Sequence, residues 1–209
     1  MLKKDIKQVI ISLISELDFY FKENGFSRRC NSLTYIRKLD GVTQKVDIVF
    51  FSNPSYHPGA LAHIYPHMQI YIPSVNGTTK EYASHIIPSK WLDQFTIRQP
   101  IQIYSNSGDF YLMDVNDYVS LKDQLLDFLK KNAMPLFNDL ISEKDYLSLY
   151  ENKDKRIIWD DNQYLYIAAT YFNNHDLNKA KEVIENRFGK KGLRNKYKEV
   201  FEYFENLEE

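Results

Sequence analysis

The sequence predicts an α+β fold: an antiparallel sheet packed by an N-terminal helix and a long central helix, then a small all-helical C-terminal subdomain. Three observations carry this. Ile6, Val9, Ile10, Leu13, Leu17, Tyr20 and Phe21 keep helical spacing. Residues 33 to 74 alternate apolar and polar side chains with the period of strands. From residue 115 onward the apolar stripes are again helical, interrupted at Pro135.

In order, the first helix ends at Asn24–Gly25, a left-handed stop. Leu33–Leu39 and Gln44–Ser52 read as a hairpin about Asp40–Gly41. Val46, Ile48 and Phe50 lie on one side with Val49 and Phe51 on the other, so the second strand is expected to be buried on both faces. Asn53–Ala62, with two prolines and a glycine, is a loop. In His63–Ser74, Ile64, Met68, Ile70 and Ile72 point one way and His63, Tyr65, His67, Gln69 and Tyr71 the other.

Asn76–Gly77 is expected to turn the chain and Thr79–Ile87 to form a short helix. Ile101–Tyr104 and Phe110–Met113 are expected to pair as a hairpin around Ser105–Asp109. Ser120 is the start signal of the central helix, and Ser142 begins a shorter one. The charged connector Glu151–Arg156 places the boundary between a domain over 1–150 and a helical tail over 151–209. In that tail, Asp160 or Asp161 caps the first member of a helical hairpin resembling a single tetratricopeptide-type unit.

Composition bounds the function. The net charge of −1, with 44% hydrophobic and 26% charged residues, gives no general attraction to nucleic acid or an anionic membrane. No run reaches the roughly 18 apolar residues of a membrane span, and the single Cys30 excludes an internal disulfide and a cysteine-cluster metal site. A cytoplasmic protein without a cofactor is the expectation.

A helix ending in Glu23-Asn24-Gly25-Phe26 precedes a strand with Tyr35-Ile36-Arg37 and another with Gln44 and Val46-Asp47-Ile48. Trp91 and a helix end reading Ala133-Met134-Pro135-Leu136-Phe137 follow. In this order the chain resembles the bacterial domain-of-unknown-function family numbered 4304, over roughly residues 3–150. The resemblance implies an antiparallel sheet with flanking helices and brings no catalytic residues. Some such small bacterial domains look like immunity proteins encoded beside toxins, which is an association rather than a mechanism.

Four of the five histidines, His57, His63, His67 and His85, fall within 29 positions. On a strand, His63 and His67 share a face about 13 Å apart at ~3.3 Å per residue, too far for one ion unless the chain bends at Pro66. Cys30 follows Arg28 and Arg29, whose charges favour a thiolate, but no base or hydrolase signature accompanies it. Eight basic residues between Lys179 and Lys198 are interleaved with glutamates and read as solvated helix surface.

The leading reading is therefore non-enzymatic: a protein-binding, immunity-like domain whose contact surface holds Tyr56, His57, His63, Tyr65, His67 and Tyr71. Tyrosine suits this role because it offers a large, stiff contact area with a polar tip. The alternative is a metal-assisted hydrolase built on His57, His63 and His67 with an acid such as Asp109. A third reading takes the tail from Asp160 as a peptide-binding or dimerising module, the latter giving a homo-oligomer.

Overall fold

The computed structural model describes residues 2–105, 109–116 and 118–208, without the side chains of Tyr104 and Glu208. The fold is α+β, with a five-stranded antiparallel sheet and predominantly helical remainder. It divides into two compact units: Met1–Leu39, Thr43–Gln69 and Arg98–Asp139 form the first, and Asp40–Val42, Ile70–Ile97 and Leu140–Glu209 the second. This differs from a single cut after Tyr150, because the second unit draws on the middle of the chain as well as its end.

The first unit opens with α1 (Lys3–Ser15) and α2 (Asp18–Glu23). The expected single helix is thus broken before Asp18, while Gly25, at a φ of 79°, closes it as anticipated. Ile6, Ile10, Leu13 and Ile14 form the buried stripe of α1. Phe21 stacks on Tyr35 at 3.9 Å between ring centres. The Tyr35 hydroxyl reaches the Ile14 carbonyl and the Asp18 carboxylate at 2.6 and 2.7 Å.

Strands β1 (Thr34–Leu39), β2 (Val42–Ser52) and β3 (Ala62–Tyr71) follow. Then come β4 (Ile97–Pro100) and β5 (Phe110–Leu112). The order is β1-β2-β3-β4, with β5 also pairing with β3. All but Val42, Ile70, Tyr71 and Ile97 of this sheet belongs to the first unit. The inner face carries Val42, Gln44, Val46 and Ile48 of β2, with Ile64 and Met68 of β3.

Burial of β2 on both faces is not found: Phe51 is 52% exposed and Val49 only half-buried. The expected strand at residues 101–104 is instead a 3₁₀ turn, Ile101–Tyr104, placed directly after Pro100. Phe110–Leu112 pairs with the start of β3 and not with that segment. Most of the expected Ser105–Asp109 turn lies outside the described residues.

The central helix is α5 (Tyr118–Phe128), a π turn (Leu129–Ala133) and α6 (Met134–Asp139). Pro135 cannot donate to the preceding turn, and the helix absorbs the irregularity just before it. Ser120 lies inside α5 and accepts from the Gln124 amide, so it is not the cap. The C-terminal end of α6 is held by the first hairpin. Gln44, fully buried, donates to the Phe137 carbonyl at 2.7 Å and accepts from Arg37 Nε at 2.6 Å.

The second unit contains α3 (Pro73–Ala83), α4 (Ser89–Leu92), α7 (Glu143–Glu151), α8 (Asp161–Asn173) and α9 (Leu177–Phe188). It ends with α10 (Lys191–Lys196) and α11 (Lys198–Glu205). Asn76–Gly77 is not a turn but the first part of α3. Pro73 opens that helix, and the buried Asn76 amide donates to the Leu92 and Phe95 carbonyls. Ser142, Asp160 and Asp176 cap α7, α8 and α9 through their side chains. Helices α8 and α9 form the expected hairpin. Among the described residues, no helix is long and apolar enough to cross a membrane.

Candidate functional site

The alternation of β3 sends His63, Tyr65 and His67 to the outer face of the first unit's sheet, opposite Ile64 and Met68. The β3–β5 register pairs His63 with Tyr111, which therefore stands beside it on that face. Their rings are stacked at 4.5 Å. Tyr65 follows edge-on to His63 at 5.5 Å, and His67 edge-on to Tyr65 at the same distance.

The loop after β2 adds two more rings. Its ends are fixed by Asn53 N–H donating to the Leu61 carbonyl and Leu61 N–H donating to the Leu112 carbonyl. Within it His57 N–H turns back to the Pro54 carbonyl. Gly59 adopts a φ of 91°, a left-handed value that favours glycine. This shape lays the His57 ring on Tyr111 at 3.9 Å and brings the Tyr56 hydroxyl to 2.8 Å from His63 Nδ1. A cleft of about 500 Å³ opens beside them, lined by His57, Asp109, Tyr111, Met113 and Gln124 among others.

His63 is only 7% exposed, whereas Tyr56 is 62% exposed. Burial pushes the His63 pKa below the ordinary imidazole value of 6.5, with His57 adding to the effect and Asp109 opposing it. Burial likewise lowers His67, helped by Arg98 and opposed by Asp47. Asp47 itself accepts from Thr34 on β1 and Gln69 on β3, tying three strands together across the outer face. His57 Nδ1, His63 Nε2 and His67 Nδ1 are shielded from solvent and have no hydrogen-bond partner among the described residues.

The linkage gives a measurable pH dependence. Because the folded chain holds these two imidazoles below 6.5, the unfolded chain takes up protons first. Stability is fully present above pH 6.5 and falls as the pH drops through 6.5 towards the folded values. Urea unfolding between pH 7 and pH 5 is expected to show this loss, and the double variant His63→Phe/His67→Phe a flatter profile over the same range.

Of the residues expected to form a contact surface, Tyr56, His57, His63, Tyr65 and His67 come together. Tyr71, at the far end of β3, falls in the second unit and is left out of this site. The cross-strand ring of Tyr111 was missing from the expected set. Its signal was the alternation in Phe110–Leu112, which places it on the polar side once that segment pairs with β3.

The hydrolase alternative asked for His57, His63 and His67 around one ion with Asp109. Asp109 Oδ1 lies 3.8 Å from His63 Nε2, but Tyr65 intervenes between His63 and His67 along the strand. Among the described residues, no three His, Cys, Asp or Glu side chains are grouped to hold a metal ion. Arg28 is committed to Asp18 and to the Cys30 and Ser32 carbonyls, and Cys30 is exposed. In the tail, Arg187 pairs with Asp161, Arg194 with Glu185 and Glu205, and Lys198 with Glu202. Those cations are spent on carboxylates of the same helical tail, in keeping with a solvated surface. Comparisons with protein-family models, curated proteins and solved structures gave no match.

Proposed function

We propose that the first unit is a non-enzymatic protein-docking module whose contact surface is the outer sheet face. Its core is Tyr56, His57, His63, Tyr65, His67 and Tyr111. The observation that carries this reading is the continuous ring array built from two strands and one loop. Aromatic rings held this way offer contact area with little ordering left to be done on binding.

The imidazoles of His63 and His67, kept neutral at pH 7 by burial, present lone pairs and N–H groups rather than charge. They leave this aromatic face uncharged at neutral pH, which suits a folded protein whose own surface is polar-aromatic and not charged. The reading extends the immunity-like resemblance: a cytoplasmic partner, toxin-like in kind, bound through a polar-aromatic patch instead of a charged one. Nucleic acid and membrane are not its targets on this reading.

Affinity capture with the wild-type chain, compared with Tyr56→Ala/Tyr65→Ala, tests it. One protein retained in stoichiometric amount by the wild type and lost with the double variant is the expected result. Equal retention by both, or stoichiometric zinc or manganese in the purified protein, would overturn it.

A further inference from the structure

A second cavity, of about 750 Å³, lies wholly within the second unit. Its walls include Ser74 and Thr78 of α3, Glu143 of α7, Phe172 and Asn173 at the end of α8, and His175 in the connection to α9. Ser74 and Thr78, four residues apart, project from one side of α3. The Ser74 hydroxyl donates to Glu143 Oε2 at 2.5 Å, and the Thr78 hydroxyl donates to Asn173 Oδ1 at 2.7 Å.

These two bonds fix the wall and leave functional groups unused. Glu143 Oε1 is shielded from solvent and has no hydrogen-bond partner among the described residues. Ser74 donates in its bond to Glu143, so its exposed oxygen keeps lone pairs to accept with. The Asn173 amide hydrogens are not consumed by the Thr78 bond, because Asn173 accepts there. His175, held at a φ of 61°, supplies an exposed ring at the rim, and Phe172 supplies an apolar one.

The electrostatics select the ligand class. Helices α3, α7 and α9 all begin at this cavity, and their positive ends disfavour a bound cation. The Glu143 carboxylate disfavours a bound anion. What remains is a neutral molecule rich in both donors and acceptors. The volume is within the range of small-molecule sites.

We infer that this cavity is a binding site for a neutral polyhydroxylated ligand of mono- or disaccharide size. The Ser74 oxygen, held by Glu143, accepts from one hydroxyl, the Asn173 amide donates to another, and Phe172 faces the ligand's C–H surface. The site does not depend on the docking role proposed for the first unit.

Saturation-transfer NMR of the full chain with glucose, galactose, N-acetylglucosamine and maltose tests it, with spermidine and inorganic phosphate as charged controls. At least one sugar is expected to bind, and neither control. Glu143→Ala and Asn173→Asp are each expected to weaken that sugar roughly ten-fold or more. Asn173→Asp keeps the acceptor for Thr78 while removing the donor, so it separates lost recognition from lost folding. No transfer to any of the four sugars, unchanged affinity in the folded variants, or binding of spermidine or phosphate in their place would overturn the assignment.

Discussion

Tyr111→Ala is expected to weaken partner binding by about 2 kcal/mol or more, roughly 30-fold in Kd, while leaving the chain folded. Tyr111 is the ring on which both His57 and His63 are stacked, and it also lines the adjoining cleft. Truncation removes its own contact area and the support that orients two neighbours. Tyr111→Phe keeps the ring and is expected to stay within roughly three-fold of wild type, since the stacking geometry is retained. Isothermal titration with the captured partner measures both variants, and far-ultraviolet circular dichroism checks folding. A Tyr111→Ala protein that binds normally would remove the array from the contact surface.

Phe137→Ala is expected to cost about 3–5 kcal/mol of stability, the range for deleting a large buried aromatic side chain. Phe137 is fully buried and meets Phe26 edge-on at 5.5 Å. Its carbonyl is the acceptor shared by Gln44 Nε2 and Arg37 Nη2, at 2.7 and 2.9 Å. Arg37 in turn lies over the Phe26 ring. Collapse at this position therefore disturbs the first hairpin, the α2 exit and α6 together. Urea unfolding is the measurement, with an unchanged slope and a lower midpoint marking lost stability. Val119→Ala, on the 52% exposed side chain of α5, is expected to change stability by no more than about 0.5 kcal/mol.

The residues that suggested a family resemblance are largely those that build the first unit. Phe26, Tyr35, Arg37, Gln44, Val46, Ile48 and Phe137 supply its inner face and polar clamp. They were legible because core positions must obey the period of their element. These seven say little about binding, since none of them faces the outer surface carrying the rings; Asp47, between Val46 and Ile48, does. The side of β3 holding His63, Tyr65 and His67 was equally legible from alternation alone.

The misreadings have local causes. Asn76–Gly77 has turn chemistry, yet α3 runs through it because the Asn76 amide finds two carbonyls inside the second unit. The β5 partner was misassigned because Phe110–Leu112 is only three residues long, and nearness in sequence favoured the segment before it. That error left Tyr111 out of the expected contact set. The cavity at Glu143 was hidden, since its walls run from Ser74 on α3 to Leu177 on α9, and periodicity reports faces but not which faces meet.

Amide hydrogen exchange on the complex with the captured partner tests the docking surface most directly. Protection is expected over residues 55–67 and 110–113, with the second unit's helices unchanged. Protection confined to α8 and α9, with the ring-bearing strands exchanging as in the free chain, would contradict the proposal.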